Sequence, residues 1–491
     1  MKKAILSFSF CLFFCSHLLA TPPQQTRPTP AKIGLALSGG GAKGFAHIGV
    51  LKVLEEIDMP IDYITGTSMG AIIGGLYAIG YSASSLDSIA RSTDWNELLS
   101  DASERRYLTM VEKPWDARYL ASFRIRQKSV QLPAGLIAGQ KISSRISRLT
   151  WAVHHVDDFT EFPIPFACVA VDIETGEALR LTSGFLPEAL RASMAIPTVF
   201  TPIFLDGRLL VDGGLVRNLP VEDARALGAE VVIGVDVGAP LKSADELHSL
   251  LAILDQAVSL HAARTATVQR EQCDLLISPT FERLGFADFD RVAGFVALGE
   301  NAARQALPEL LALKKRVLEG RSATPAVRSQ APVEIDSIYI HTVTIEGLHH
   351  VSKGLVQAEL AIEPESWISP QFLERGVARI YNSQFFERVT YKLIPGSSGT
   401  DLVIKVVEKE HDFFNLGVRY DSRNETTFLF NTTFRNLTGH GSALSFDVKI
   451  AELTELDLAY FVHLGLHPGL GIHLRGNGNE RILDRFAGAQ R

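Results

Sequence analysis

A chain of 491 residues exceeds what one hydrophobic core usually organises, so two or more domains are expected. Hydrophobic residues make up 46% and charged residues 21%, a globular balance that excludes a largely disordered polymer. The formal net charge is −7 and no dense Lys/Arg run occurs, which argues against nucleic acid as a partner.

Met1-Lys2-Lys3 gives a positive start, and Ala4 to Leu19 is an almost uninterrupted apolar run leading to Ala20 and Thr21-Pro22-Pro23. This is the pattern of a secretory signal peptide over residues 1–20; the run is short for a membrane-spanning anchor. Cys11 and Cys15 lack the small-residue context of a lipoprotein cleavage site. Cys168 and Cys273 would remain after cleavage and permit at most one disulfide. No other stretch approaches a transmembrane helix in length, so membrane attachment has to come from an amphipathic surface or a β-barrel.

Residues 21–31, rich in Pro, Thr and Gln, read as a linker. From 32 to 320, short apolar runs at 33–37, 164–171, 209–211 and 231–235 alternate with helical periods such as 45–57 and 71–79. That alternation predicts an α/β layered domain with a largely parallel sheet. A second Pro/Ala/Ser-rich linker covers 321–334. Residues 335–410 then read strand, helical middle, strand, strand: a compact α+β unit. From 411 to 491 the pattern becomes alternating segments of about ten residues, as expected of transmembrane β-barrel strands; an ordinary antiparallel sheet is the alternative. Residues 442–450 are clearest, with Leu444, Phe446, Val448 and Ile450 on one face and Ser445, Asp447 and Lys449 on the other. At most five or six such strands fit before Arg491, below the minimum of about eight in bacterial barrels, so the expectation is the opening part of a barrel.

Two glycine-rich turns carry the chemistry. Ser38-Gly39-Gly40-Gly41-Ala42-Lys43-Gly44 lies between a strand and a helix, where glycines let backbone N–H groups converge on an anion and the helix start adds positive potential. A dinucleotide site would need an acidic residue at the end of the next strand, and a P-loop would need a closing Gly-Lys-Ser/Thr; neither is present. The next strand instead ends in Gly66-Thr67-Ser68-Met69-Gly70. In G-x-S-x-G the glycines permit a sharp strand-to-helix turn that presents the serine hydroxyl, although the pentapeptide alone is also a common turn. On consecutive strand–helix units, the two turns would stand side by side: a nucleophile next to an oxyanion hole. For a base, Asp212 opens Asp212-Gly213-Gly214 at a strand end, but Asp172, Asp206 and Asp236 also lie near strand ends, and spacing does not choose among them. His248 and His261 lie downstream of Asp212 in helix-like sequence and leave a Ser, acid, His triad as the competing arrangement. His47 reads as structural.

Gly39 to Gly44, Gly66 to Gly70 and Asp212-Gly213-Gly214, in that order, resemble the three signatures of the patatin-like phospholipases. Arg191 to Pro197 resembles that family's Ser-x-Ala-x-Pro block. The resemblance implies a three-layer α/β/α domain over 32–320 with no metal or organic cofactor. Ser68 would be the nucleophile and Asp212 the direct general base. The N–H groups of Gly39, Gly40 and Gly41 would hold the oxyanion, with Gly66, Gly70, Gly213 and Gly214 shaping the turns. Lys43 would support the loop or meet a headgroup phosphate, and the substrate would be a phospholipid or other fatty-acyl ester. Residues 335–410, with Val343 to Gly347, Tyr381 to Phe386 and Ile404 to Glu408, resemble a POTRA domain, and Leu416 to Tyr420 resembles the first strand of the barrel that follows such domains. The whole order is similar to patatin-like autotransporters. That implies export and attachment to the bacterial outer membrane through its assembly machinery, with the catalytic domain at the surface, in the periplasm or released. The alternative is a transport or insertion device in which the POTRA and barrel are the working part.

Overall fold

The computed structural model describes residues 31–100, 118–318 and 336–479, apart from 127–128, 132–134, 239–242, 249, 282–283, 410–411, 422–424, 436–440, 452–453 and 464–470. The expected signal peptide and the second linker lie outside the described residues, as does the first linker apart from Ala31.

Ile33–Leu37 (β1) is buried along its whole length because layers cover it on both sides. Ile33, Leu35 and Leu37 face the main core, shared with the helices Ala46–Glu56 (α1) and Met69–Ala78 (α2). Ala36 faces the smaller core under the helix Val221–Leu227. Tyr63–Thr67 (β2) lies parallel beside β1. The eight-stranded sheet runs Leu275–Ile277, Val231–Val235, β1, β2, Phe166–Asp172, Arg208–Asp212, Ile203–Leu205, with Ala178–Leu181 also paired to Phe166–Asp172. The first five are mutually parallel; the remaining three join the sheet through antiparallel pairings. The parallel α/β expectation therefore holds on one side of the sheet and gives way on the other. Val292, Phe295, Leu310, Leu313 and Val317 close the main core at its far end.

The second unit is a four-stranded sheet ordered Ser366–Ile368, Ile338–Glu346, Gly399–Glu408, Phe386–Gly396. Two helices cover it rather than the single helical middle expected. The first, Lys353–Leu360, starts where the Ser352 hydroxyl accepts the Leu355 N–H (3.3 Å) and stops at Ala361, which sits at φ 54. Ser369 caps the second, Pro370–Asn382, in the same way.

Five antiparallel strands follow: Asp412–Asp421, Glu425–Arg435, Ser442–Ile450, Glu455–His463 and Gly471–Asn479. The hairpin Ala121–Arg126/Ser129–Gln131 from the first domain extends their sheet. Their polarity is inverted relative to a water-soluble sheet. Phe428, Phe446, Leu458 and Leu474 are exposed, while Asn431, Ser445 and Asp447 are buried. The buried polar face is internally bonded: the Asn431 amide donates to Ser445 Oγ (2.9 Å) and the Tyr119 hydroxyl to Asp447. Apolar outside and polar inside is the arrangement a lipid-facing barrel wall requires. No helix among the described residues is long and apolar enough to cross a membrane.

One packing constraint is severe. A Cβ on Gly49 of α1 would stand 2.0 Å from Val296 O, and one on Gly299 would stand 1.9 Å from Ala46 O. The helix Val292–Gln305 thus meets α1 backbone to backbone. Gly299→Val should force the pair apart and cost about 3 kcal/mol or more. A clear drop in the temperature at which the first domain loses protease resistance would show it.

Candidate active site

β2 runs straight into the turn at Ser68, whose backbone (φ 54, ψ −122) lies where side chains rarely go. The turn is held by close approach. A Cβ on Gly70 would stand 2.4 Å from Leu37 O, so only glycine lets α2 start against the end of β1; Gly66 is similarly pressed against Gly70 O. The Ser68 N–H donates to Ser193 Oγ (3.0 Å), and the Ser193 hydroxyl donates to Val169 O (2.6 Å). Ser193 thus ties the strained turn to the neighbouring strand.

Asp212 arrives from the other direction. Its strand is antiparallel to Phe166–Asp172 and pairs Asp212 with Ala170, one residue from the Val169 that lies beside Thr67. Asp212 is 5% exposed, its carboxylate accepts the Gly214 N–H (2.7 Å), and the Ser68 side chain lies close enough to favour its charged form. Burial pushes its pKa up to about 6, against the opposing pull of Ser68 and the Gly214 N–H. Gly213 packs on Val169 O, where a Cβ would sit 2.4 Å away, and Gly214 leaves room for both Asp212 and Asn218.

The loop after β1 completes the site. Gly41 holds φ 56. The Ala42 N–H goes to Phe286 O (2.9 Å) and the Lys43 N–H to Gly40 O (3.2 Å). Among the described residues nothing accepts the N–H of Gly40 or Gly41. Gly39 differs from the expectation. Its N–H is directed to Asn218 O (3.3 Å), because the chain after Asp212 folds back over the loop and the Asn218 amide also donates to Gly39 O (3.3 Å). The place of Gly39 is steric: a Cβ there would stand 3.0 Å from Ser68 Cβ. Lys43 is buried with its ammonium 5.5 Å over the Phe281 ring, and that burial lowers its pKa.

The other aspartates are committed elsewhere. Asp172 bonds the Glu174 N–H and faces Arg208, Asp236 pairs with Arg270, and Asp206 sits in the turn between two strands. His47 is fully buried with Nε2 against Ser38 O (2.8 Å), under the glycine loop, and burial holds its pKa near 4. His248 is exposed in a loop before the helix Leu250–Glu271, not within it; the His261 side chain lies outside the described residues. Cys168 and Cys273 are unpaired thiols. Among the described residues no group of three or more His, Cys, Asp or Glu is placed to hold a metal ion. Asn218 and the role of Ser193 are missing from the sequence reading, since each acts on a partner far away in the chain.

A cavity of about 520 Å³, open mouth included, begins at Ser68 and Gly41 and is otherwise lined by apolar residues, among them Met69, Ile72, Trp95, Ile142, Met194 and Phe200.

Residues 35–225 match the family model of patatin-like phospholipases, 338–409 that of the surface antigen variable number repeat (POTRA), and 400–484 that of the OMP85 superfamily. The chain thus carries a patatin-like phospholipase domain, a POTRA domain and an OMP85-type segment in one polypeptide. An uncharacterized NTE family protein of Mycobacterium tuberculosis is 34% identical over 206 residues, which span 42% of this chain and 49% of that protein. Lysophospholipase NTE1 of Coccidioides immitis is 32% identical over 240 residues, 46% of this chain and 14% of that one. The chain therefore spans half or less of the length of these relatives. The crystal structure of VipD from Legionella pneumophila aligns with a TM-score of 0.33 at 15% identity, covering 57% of this chain and 67% of that one.

A serine-directed fluorophosphonate should label the intact chain at Ser68, read by peptide mass spectrometry. Ser193→Ala, which frees the Ser68 N–H, should slow labelling about tenfold, as expected for loss of one positioning hydrogen bond.

Proposed function

We propose that this chain is a serine lipid acyl hydrolase of phospholipase A type, attached to the bacterial outer membrane by its own C-terminal half. The observation that carries the proposal is the Ser68 side chain facing a buried Asp212, whose charged form it favours, at the mouth of an apolar cavity. With Asp212 facing the serine itself, no histidine is needed as intermediary.

In the proposed reaction the acyl chain of the substrate lies in the cavity with its ester carbonyl over Ser68. The Ser68 Oγ–H bond breaks as Asp212 takes the proton and Oγ bonds the carbonyl carbon. The developing oxyanion meets the unengaged N–H groups of Gly40 and Gly41. Collapse expels the alcohol, which leaves with the proton held by Asp212. Water then gives its proton to Asp212, attacks the acyl-enzyme, and the fatty acid departs as Ser68 is re-protonated. Ionised Asp212 is the competent form, so its raised pKa makes it a stronger base than an ordinary carboxylate.

For location, the inside-out polarity of the five strands and the POTRA and OMP85 matches support outer-membrane attachment. We further propose export by residues 1–20, insertion through the outer-membrane assembly machinery, and a domain order of catalytic (32–320), POTRA (335–410) and barrel (411–491) portions. The Gly40–Gly41 cradle and the Ser68–Asp212 pair favour a working enzyme over a transport device carrying an inert domain.

Hydrolysis of phospholipid in mixed micelles by the intact chain tests the reading, and Ser68→Ala should lower turnover by about a thousandfold or more. If Ser68→Ala hydrolyses as fast as the parent chain, the reading fails. Below pH about 6 the base protonates, so kcat/KM should fall roughly tenfold per pH unit on the acid side and level off above it. The same shift has a stability consequence. Asp212 ionises more readily unfolded than folded, so its charge destabilises the fold progressively as pH rises from about 4 to about 6 and fully above that. Asp212→Asn should therefore abolish turnover yet raise stability at pH 8 by up to about 3 kcal/mol, seen as a higher unfolding temperature in thermal scans of both proteins.

A further inference from the structure

Phe386–Gly396 is the last strand on one side of the POTRA sheet, and its outward backbone groups need partners. The catalytic domain supplies them from one short stretch, the helix Gln140–Leu149 and the turn Trp151–Val153 with His154. The buried Gln140 amide donates to Val389 O (2.7 Å) and accepts the Val389 N–H (3.0 Å), standing in for a missing strand. The Leu393 N–H donates to His154 Nδ1 (3.2 Å). His154 Nε2 lies 2.9 Å from Ser147 O, so the ring proton sits on Nε2 and Nδ1 is the acceptor. The Trp151 indole N–H donates to the Tyr391 hydroxyl (2.8 Å), and the indole packs within the POTRA core.

The same stretch forms the wall of the acyl cavity. Ile137 and Ile142, on either side of Gln140, both line it. The strand Gly135–Ile137 pairs with Thr198–Phe200, whose Val199 and Phe200 also line it. Arg191, buried, clips the two together: its guanidinium donates to Ala138 O (2.9 Å) and Thr201 O (3.3 Å) and lies 4.9 Å over the Phe200 ring.

We infer that the POTRA domain braces the wall of the acyl cavity through Gln140, Trp151 and His154, so that the preference for long acyl chains is set partly from outside the catalytic domain. Gln140 and Tyr391 are positioning residues in this account; neither lines the cavity nor touches the dyad. The inference rests on the hydrolase reading above and adds a determinant of acyl selectivity to it.

The test uses the intact chain in detergent micelles with p-nitrophenyl palmitate and p-nitrophenyl butyrate as the two esters. Tyr391→Phe removes one hydroxyl from the POTRA side and keeps the ring, so any effect on hydrolysis has to cross the interface. KM for the palmitoyl ester should rise about fivefold, the worth of one hydrogen bond, with kcat for the butyryl ester unchanged. Trp151→Phe should act alike, and the double variant should do little more than either single one. Gln140→Glu, which sets a carboxylate oxygen against Val389 O, should exceed both. Unchanged palmitoyl kinetics in all these variants would overturn the inference, and so would equal losses on both esters. Absence of Ser68-dependent turnover of either ester by the parent chain would instead count against the hydrolase reading itself.

Discussion

Withdrawing a carboxylate from water is unfavourable unless donors replace the solvent. Asp212 is withdrawn, accepts the Gly214 N–H, and has the Ser68 side chain beside it to favour its charge. Much of the surrounding geometry serves to keep that arrangement intact. Ser193 holds the strained Ser68 backbone against Phe166–Asp172, and Asn218 fastens the segment after Asp212 to the glycine loop at Gly39. Gly66, Gly70 and Gly213 remove the side chains that would separate these layers. In the proposed reaction the incomplete compensation of Asp212 is what makes it basic, so stability and reactivity pull in opposite directions at one residue.

Ser68 is legible in the sequence because its determinants are local: an apolar strand, two glycines and a helix within a dozen or so residues. The pairing of the two glycine-rich turns is equally visible, since parallel β1 and β2 bring consecutive strand ends to one edge. Asp212 is not singled out by pattern. Whether it or Asp172 reaches Ser68 depends on the reversal of its strand relative to Phe166–Asp172, and no local residue type encodes that direction. Gly39 shows the limit from the other side. A glycine run marks a place where N–H groups can converge, yet which of them converge depends on Asn218, brought over the loop by tertiary folding.

The C-terminal half repeats the lesson at larger scale. Alternation along Ser442–Ile450 is plain in the sequence, but the identity of the inner face is not. Burial of Ser445 and Asp447, with Phe446 turned outward, decides it. The short helix Lys353–Leu360 escapes a periodicity reading because eight residues offer barely two turns, and its boundaries come from a cap at Ser352 and a left-handed stop at Ala361. The bond from Gln140 to Val389 has no sequence signature at all: a glutamine that completes a strand edge in another domain looks like any polar residue at the start of a helix.

The reversed strand that delivers Asp212 has a temporal consequence. Ser68 and Asp212, the proposed nucleophile and base, come from opposite-running strands on either side of Phe166–Asp172, and the glycine loop is shaped only once Asn218 has closed over it. None of these parts meets before the sheet has assembled, and long-range contacts of this kind form late. An extended chain therefore carries a lone serine without base or cradle. Under the proposed export and hydrolase activity, such a chain would spare the lipids it crosses until folding arms it.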